Sequence, residues 1–213
     1  LTILFYINLL KKVIPSTTSS LRLIYFINLI PFGLLVYAFS ISDFTLLNVV
    51  ENSYVDDPIF YKVTSAWGSH EGSILLWVFL INLFGVFFLY QNQTVEIHKN
   101  ILFISTLFIL YVVISSNPFT HVEANENVLG LGLNPILQHF LFIIHPPTLF
   151  LGYIGLIIPF VISAHMLVNK NFSEKLFREM LIWSKISWFF LTGGIILGSY
   201  WAYSELGLSL IHI

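Results

Sequence analysis

Residues 73–90 read SILLWVFLINLFGVFFLY, a stretch without a charge whose one amide side chain is Asn82. A helix needs about 20 mostly apolar residues to cross the hydrocarbon core of a bilayer, so this stretch predicts a transmembrane helix. Across the 213 residues, 57% are hydrophobic and 9% are charged, whereas soluble domains carry about 25% charged residues. The fold class predicted is all-α: a polytopic transmembrane helix bundle.

Similar apolar stretches recur along the chain and predict about six spans, the first incomplete. Pro31 lies inside the second stretch and predicts a kink rather than a break, because neighbouring helices satisfy the carbonyl that it frees. The fifth stretch is too long for one straight span. We expect Pro146-Pro147 to divide it into a surface or partly inserted helix over residues 136–144 and a true span. The predicted spans are residues 1–10 (the end of a span), 21–41, 73–90, 101–116, 147–168 and 181–203.

The basic side chains distribute unequally between the two sides that these spans define. Alternate crossings place eight of the nine basic residues on one side and only Lys62 on the other. Loops rich in lysine and arginine stay in the cytoplasm, so this side is predicted to be cytoplasmic. The outer side then carries the longer polar segments 42–72, 117–145 and the residues after 199, where functional loops are expected. The eight residues are Lys11, Lys12, Arg22, Lys99, Lys170, Lys175, Arg178 and Lys185.

Composition also limits the chemistry that the chain can perform. The net charge of -2 argues against nucleic acid as a partner. The absence of cysteine excludes a disulfide, a thiolate metal site and a thioether link to haem. The seven histidines remain as soft-metal ligands. Of these, His98 is predicted to be a polar residue at the cytoplasmic interface, while Asn28 and Asn82 are predicted to hydrogen-bond to other helices.

The first candidate constellation is Trp67-Gly68-Ser69-His70-Glu71-Gly72-Ser73, which leads into the span that begins at residue 73. One interpretation is a loop at the membrane surface, with an interfacial tryptophan and Ser73 as the helix N-cap. The other is that His70 and Glu71 are held at the membrane edge as a ligand, a proton carrier or a carboxylate partner. Adjacent residues point to different sides of a helix, so this pair does not form a chelate by itself.

The second constellation is His145-Pro146-Pro147, at the outer end of the fifth apolar stretch. A residue before proline is disfavoured in the α conformation. His145 is therefore predicted to be extended, directly before the span, with its imidazole at the outer membrane surface. Haem iron is commonly held by an axial histidine, which makes His145 a candidate haem ligand. The alternative is that His145 only hydrogen-bonds to a carbonyl at the start of the helix.

The third constellation is the aromatic stretch over residues 198–207, GSYWAYSELG, at the end of the last span. Tryptophan and tyrosine are typical of the membrane interface, so an aromatic belt is one interpretation. The other is an aromatic platform for a flat macrocycle, formed around Trp201 and Tyr203. The small residues Gly193, Gly194 and Gly198 in the same span are expected to let another helix approach closely.

These stretches occur with others in an order that resembles the CcmF family (cytochrome c maturation protein F) of the haem-handling protein superfamily. The resemblance extends along nearly the whole chain and is interleaved with the predicted spans. It is carried by Ser42-Asp43-Phe44, Tyr61-Lys62, residues 67–77, Ser116-Asn117-Pro118-Phe119, residues 133–138, 145–155 and 190–207.

The resemblance implies a role in cytochrome c-type biogenesis, as part of a haem lyase at the outer face of the membrane. It implies that haem b arrives from the haem chaperone CcmE and is attached to apocytochrome c, with CcmH and CcmI as partners. It assigns the axial ligand to the haem iron to His145. The membrane is expected to be a bacterial inner membrane, with the mitochondrial inner membrane as the alternative. Residues expected to support the haem surface are Trp67, His70, Glu71, Trp201 and Tyr203.

The sequence also departs from the family pattern. Residues 1–207 are expected to be the transmembrane part, whereas 208–213 replace a tryptophan-rich continuation and are expected to be a non-native tail. His139 stands where the family usually has an acidic residue. With the main haem cradle and the histidines of the resident b-type haem expected beyond this chain, the chain alone is not expected to catalyse the attachment of haem to apocytochrome c.

Three other functions are alternatives to this one. A system II haem exporter and synthetase shares the tryptophan-rich pattern, but the order of the motifs favours CcmF. A transporter or a proton-pumping respiratory subunit would carry ionisable residues in the middle of its spans, and here they lie almost wholly in loops. A structural membrane subunit without chemistry is the third alternative.

Overall fold

The computed structural model describes residues 17–123 and 128–207, and its regular elements are helices. Two β-bridge partners, Leu46 and His121, join neighbouring loops. The apolar segment 1–10 and the tail 208–213 lie outside the described residues. The helices are α1 (Thr18–Ser40), α2 (Leu47–Asn52), α3 (Ile59–Ser65), α4 (His70–Gln91), α5 (Val95–Ser115), α6 (Phe140–Gly155), α7 (Ile157–Asn169) and α8 (Glu174–Leu206), with a 3₁₀ turn at Pro135–Leu137.

Five helical segments are long and apolar enough to cross a membrane, namely α1, α4, α5, the consecutive pair α6–α7, and α8. They include every span predicted from residue 21 onward, so the expected polytopic helix bundle is confirmed. The helix α1 continues through Pro31 without interruption. The chain is thus a multi-pass membrane protein by the length and composition of its helices.

The proline pair does not divide the fifth apolar stretch as predicted. The helix α6 begins at Phe140 and runs through Pro146 and Pro147 to Gly155. The separate surface helix over residues 136–144 is therefore wrong, because its first part is a 3₁₀ turn and the rest forms the first turns of α6. Close packing along α8 holds this backbone helical. This packing outweighs the local preference of a residue before proline for an extended conformation.

The start of α4 also differs from the prediction. Its N-cap is Ser69, whose hydroxyl oxygen accepts a hydrogen bond of 3.0 Å from the backbone N–H of Gly72. The predicted cap, Ser73, lies inside the helix and donates to the carbonyl of Trp67 at 2.8 Å. The loop can fold this tightly only because residue 72 has no side chain, since a Cβ there would collide with the carbonyl of Ala66.

Alternate crossings bring the predicted cytoplasmic helix ends together around a buried polar network. The Tyr25 hydroxyl lies 2.9 Å from Nδ1 of His98, and Nε2 of His98 lies 2.7 Å from the carbonyl oxygen of Asn92. The Asn92 amide donates to the Glu179 carboxylate at 2.6 Å. A carbonyl only accepts, so Nε2 carries the proton and Nδ1 accepts from Tyr25. His98 is fully buried, so its prediction as an interfacial residue is wrong.

A second polar contact lies deeper in the bundle. The Asn28 amide donates to Asn82 at 3.0 Å, and the Asn82 amide donates to Ser105 at 2.7 Å. These contacts connect α1, α4 and α5 and confirm the predicted role of both asparagines. Together with the cytoplasmic network, they fix the helices that support the outer face.

Replacing Tyr25 with phenylalanine is expected to lower the free energy of unfolding by about 1 kcal/mol, the usual scale for a hydrogen bond between membrane helices. The change leaves Nδ1 of the buried His98 without its donor. Titration of the chain with SDS in micelles measures the effect. Tyr37→Phe is the matched control, because Tyr37 lies on the same helix and its side chain is exposed. Equal losses in the two variants would contradict the role assigned to the network.

The outer face is covered by the short helices α2 and α3 and by loops that hydrogen-bond to one another. The N–H of Leu47 donates to Thr120 at 2.9 Å, and the N–H of Leu131 donates to Val50 at 2.8 Å. Gly130 has a φ of 81° and lies so close to Ser53 that a Cβ would collide with the Ser53 carbonyl. These contacts attach the loops on either side of residues 124–127 to α2.

Candidate functional site

The outer halves of α6 and α8 pack at backbone contact through small residues. A Cβ on Gly194 would lie 2.7 Å from Cα of Leu149, and a Cβ on Gly152 would lie 2.7 Å from Cγ of Leu191. Both distances are shorter than normal carbon contacts, so only glycine fits at these positions. The predicted close approach is confirmed for Gly194. Its neighbour Gly193 faces open space, with only a Thr148 methyl at 3.9 Å.

The imidazole of His145 lies in this close contact, on the surface of Gly198. A Cβ at position 198 would lie 2.9 Å from both Nδ1 and Nε2 of the ring. Nδ1 lies 2.8 Å from the carbonyl oxygen of Gly194. Since the carbonyl can only accept, Nδ1 carries the proton of the neutral ring. Nε2 therefore keeps its lone pair, which is the arrangement of metal-binding histidines that donate their other N–H to a carbonyl.

The backbone of His145 differs from the prediction. The residue is helical and lies in the second turn of α6, not extended before the start of a span. The imidazole contacts a carbonyl, but this carbonyl belongs to Gly194 on α8 and not to the start of its own helix, as the predicted alternative had it. Because that contact uses one ring nitrogen, it is compatible with iron ligation through the other.

Trp201 lies beside this histidine. Its ring centroid is 6.1 Å from that of His145 and 6.3 Å from that of Phe142. The indole Nε1 is buried and finds no acceptor among the described residues. The aromatic face of Trp201, rather than its buried N–H, is the part that suits a flat ligand. Tyr203, two residues later, is exposed.

His139 closes the outer end of the α6–α8 pair. Its Nδ1 accepts a hydrogen bond of 3.1 Å from the N–H of Leu141 and so caps α6. Its Nε2 lies 3.5 Å from a carboxylate oxygen of Glu205 at the end of α8. His139 therefore lies between the start of α6 and the end of α8.

The tryptophan-containing loop before α4 approaches this site at Phe142. A Cβ on Gly68 would lie 3.3 Å from the side chains of both Phe142 and Leu133. His70 turns elsewhere, and its Nε2 lies 3.3 Å from the hydroxyl of Tyr111 on α5. The structure thus brings together His145 and Trp201, places the loop of Trp67 next to them, and directs His70 towards α5.

Glu71 faces α2 and the loop after α5, where it lines a polar pocket with Glu51. In the described ranges, no group of three or more His, Cys, Asp or Glu side chains could hold a metal ion. Sequence reasoning missed Phe142 and the Gly194 carbonyl as parts of the site, although the spacing of Gly194 and Gly198 placed both on one face of a helix.

The fold and site define a multi-pass membrane protein with an imidazole presented between two closely packed helices. Residues 67–211 match the family described as Cytochrome C assembly protein. The chain belongs to this family.

The similar proteins are longer than this chain. It is 41% identical over 172 residues to the cytochrome c-type biogenesis protein CycK of Bradyrhizobium diazoefficiens, which covers 78% of this chain and 26% of that protein. It is 40% identical over 184 residues to the cytochrome c-type biogenesis protein CcmF of Haemophilus influenzae, covering 84% and 28%. The chain thus spans about a quarter of the length of these relatives.

A solved structure named cytochrome c haem lyase CcmF has the same fold. Its TM-score is 0.73 at 23% sequence identity, over 87% of this chain and 30% of that one. The helical bundle expected from the resemblance is thereby confirmed at the level of the fold.

Proposed function

We propose that this chain is the haem-presenting part of a cytochrome c haem lyase, and that His145 is the axial ligand to the haem at the outer face. The observation that carries the proposal is the hydrogen bond of 2.8 Å between Nδ1 of His145 and the Gly194 carbonyl. This bond orients the ring and leaves Nε2 as the iron ligand. The relatives named as cytochrome c-type biogenesis proteins support the biological role.

The residues around His145 would orient the macrocycle. Trp201 would offer an apolar face for stacking. The buried Phe142 packs against Trp201, and the loop of Trp67 contacts Phe142. Tyr203 would form the exposed rim. His70 contacts α5 instead, so we assign it no contact with haem.

The chemistry that follows from this arrangement is positioning. The thiols that attack the haem vinyl groups belong to the apocytochrome, because this chain has no cysteine. His145 would fix the distance and tilt of the macrocycle, and Trp201 would fix its rotation. Holding two reactants in the reactive geometry is by itself a large catalytic contribution.

The partners and the location are part of the same proposal. The haem b would come from the chaperone CcmE, and CcmH and CcmI would assemble with this chain around apocytochrome c. The concentration of basic residues at one set of helix ends supports an orientation with His145 outside the cytoplasm. A bacterial inner membrane is the proposed location, with the mitochondrial inner membrane as the alternative.

Titration of ferrous haem into the purified chain in detergent micelles tests the proposal. We expect saturation at about one haem per chain and the absorption bands of haem with a histidine axial ligand. A linear, non-saturating rise, as for haem that dissolves in the micelle, would contradict it. Empty micelles provide the blank.

A further inference from the structure

A polar pocket of ≈ 180 Å³ lies on the outer face, away from His145, where three of the sequence stretches meet. Leu47 and Asn48 follow the stretch around Asp43, Glu71 belongs to the loop before α4, and Ser116 and Asn117 follow α5. The pocket is small for a macrocycle but large enough for an ion with several waters. It is not used by the proposed haem chemistry.

Oxygen-bearing side chains line this pocket almost completely. Besides Leu47, its walls consist of two carboxylates, two carboxamides and three hydroxyls, from Glu51, Glu71, Asn48, Asn117, Ser115, Ser116 and Thr120. Cysteine and histidine are not among these lining residues. Such a set of hard oxygen ligands suits Ca²⁺ or Mg²⁺ rather than a softer metal.

Two buried side chains in the pocket have polar atoms without a partner. Asn48 is 5% exposed and Ser116 is 2% exposed. In the part of the chain that the structure describes, Nδ2 of Asn48 and Oγ of Ser116 make no hydrogen bond. The orientation of the Asn48 amide is fixed, because its Oδ1 accepts from Asn52 at 3.1 Å. Burying such groups is costly unless a ligand or an ordered water satisfies them.

The carboxylates of the pocket also lack positive charge. Glu51 and Glu71 take part in none of the salt bridges found within residues 17–123 and 128–207. The basic residue of the outer face, Lys62, instead donates to the carbonyl of Val55 at 2.6 Å. Glu71 is half-buried and Glu51 is exposed, and a cation between the two carboxylates would be attracted to both.

We propose that this pocket binds a divalent cation, Ca²⁺ or Mg²⁺, together with part of its water shell. Glu51 and Glu71 supply the charge, and the Ser116 hydroxyl supplies a neutral oxygen. A water in the pocket accepts from Nδ2 of Asn48. By joining α2, the start of α4 and the loop after α5, the ion fixes the outer loops relative to the bundle.

Calorimetric titration of the purified, chelator-treated chain in micelles with CaCl₂ and with MgCl₂ tests this proposal without any haem. We expect one saturable site with a dissociation constant of about 0.1–1 mM, the range of extracellular calcium modules. Glu71→Gln is expected to weaken binding about tenfold or more, because half of the carboxylate charge is lost. Glu123→Gln is the matched control and is expected to bind as the unchanged chain does, since Glu123 is an exposed outer-face carboxylate outside the pocket.

Asn48→Asp separates an ion site from a merely structural pocket. A third carboxylate should tighten cation binding several-fold while it preserves the contact with Asn52. The proposal is overturned if neither ion shows saturable binding, if Glu71→Gln binds like Glu123→Gln, or if Asn48→Asp fails to tighten binding. Saturable binding of methylammonium in place of both ions would also overturn it and identify a pocket for an amine.

Discussion

Alanine at position 145 is expected to abolish axial ligation of haem by this chain. Losing a partner that only supports a metal ligand costs 10–100-fold in affinity, so losing the ligand itself should cost about 100-fold or more. The absorption bands of histidine-ligated haem should disappear from the titration, because His145 is the imidazole that lies on Gly198.

The control for this change is His165→Ala. His165 is a half-buried histidine near the cytoplasmic end of α7, so haem binding at the outer face should not depend on it. The far-ultraviolet circular dichroism of both variants verifies that the helices are retained. Unchanged haem bands in His145→Ala, or their loss in both variants, would refute the assignment of the ligand.

Alanine at position 194 is expected to destabilise the bundle by about 1–3 kcal/mol, the usual cost of inserting a methyl group into a packed contact. The new Cβ would lie 2.7 Å from Cα of Leu149, and backbone atoms cannot move aside as a flexible side chain does. Separation of α6 from α8 also lengthens the hydrogen bond between His145 and the Gly194 carbonyl. Haem affinity should therefore fall about tenfold.

Gly193→Ala is the matched control, because a Cβ at position 193 would have only a methyl group at 3.9 Å. Its unfolding free energy in SDS should change little or rise slightly, since alanine is favoured over glycine within a helix. Similar losses of stability in both variants would show that the flexibility of glycine matters here and not the close approach. If Gly194→Ala loses stability but keeps its haem affinity, the close packing of α6 on α8 does not control haem binding at His145.

Sequence patterns predicted the membrane spans well, because a bilayer imposes one length and one composition on every crossing. The charges on the loops indicated the same grouping of helix ends that the contacts of Tyr25 with His98 and of Asn92 with Glu179 show. Helix starts were predicted less accurately. Ser69 and Ser73 are chemically equivalent caps, and the choice between them depends on the close contact between Gly72 and Ala66.

The candidate site was predicted in part. Sequence alone selected His145 and Trp201, but it placed His70 and Glu71 at the same surface, although their side chains contact α5 and the outer pocket. A loop of this length can direct adjacent side chains to different neighbours, and local sequence contains no information about which neighbours are present.

By itself, the sequence of this protein determined the number and approximate limits of the described spans, their alternation and the residue types available for haem, because hydrophobicity and charge act locally along the chain. Tertiary structure alone decided that Pro146 and Pro147 remain inside a helix, since the packing of α6 on α8 overrides their local preference. It also decided which nitrogen of His145 is committed to the Gly194 carbonyl, because that partner is 49 residues away in the chain.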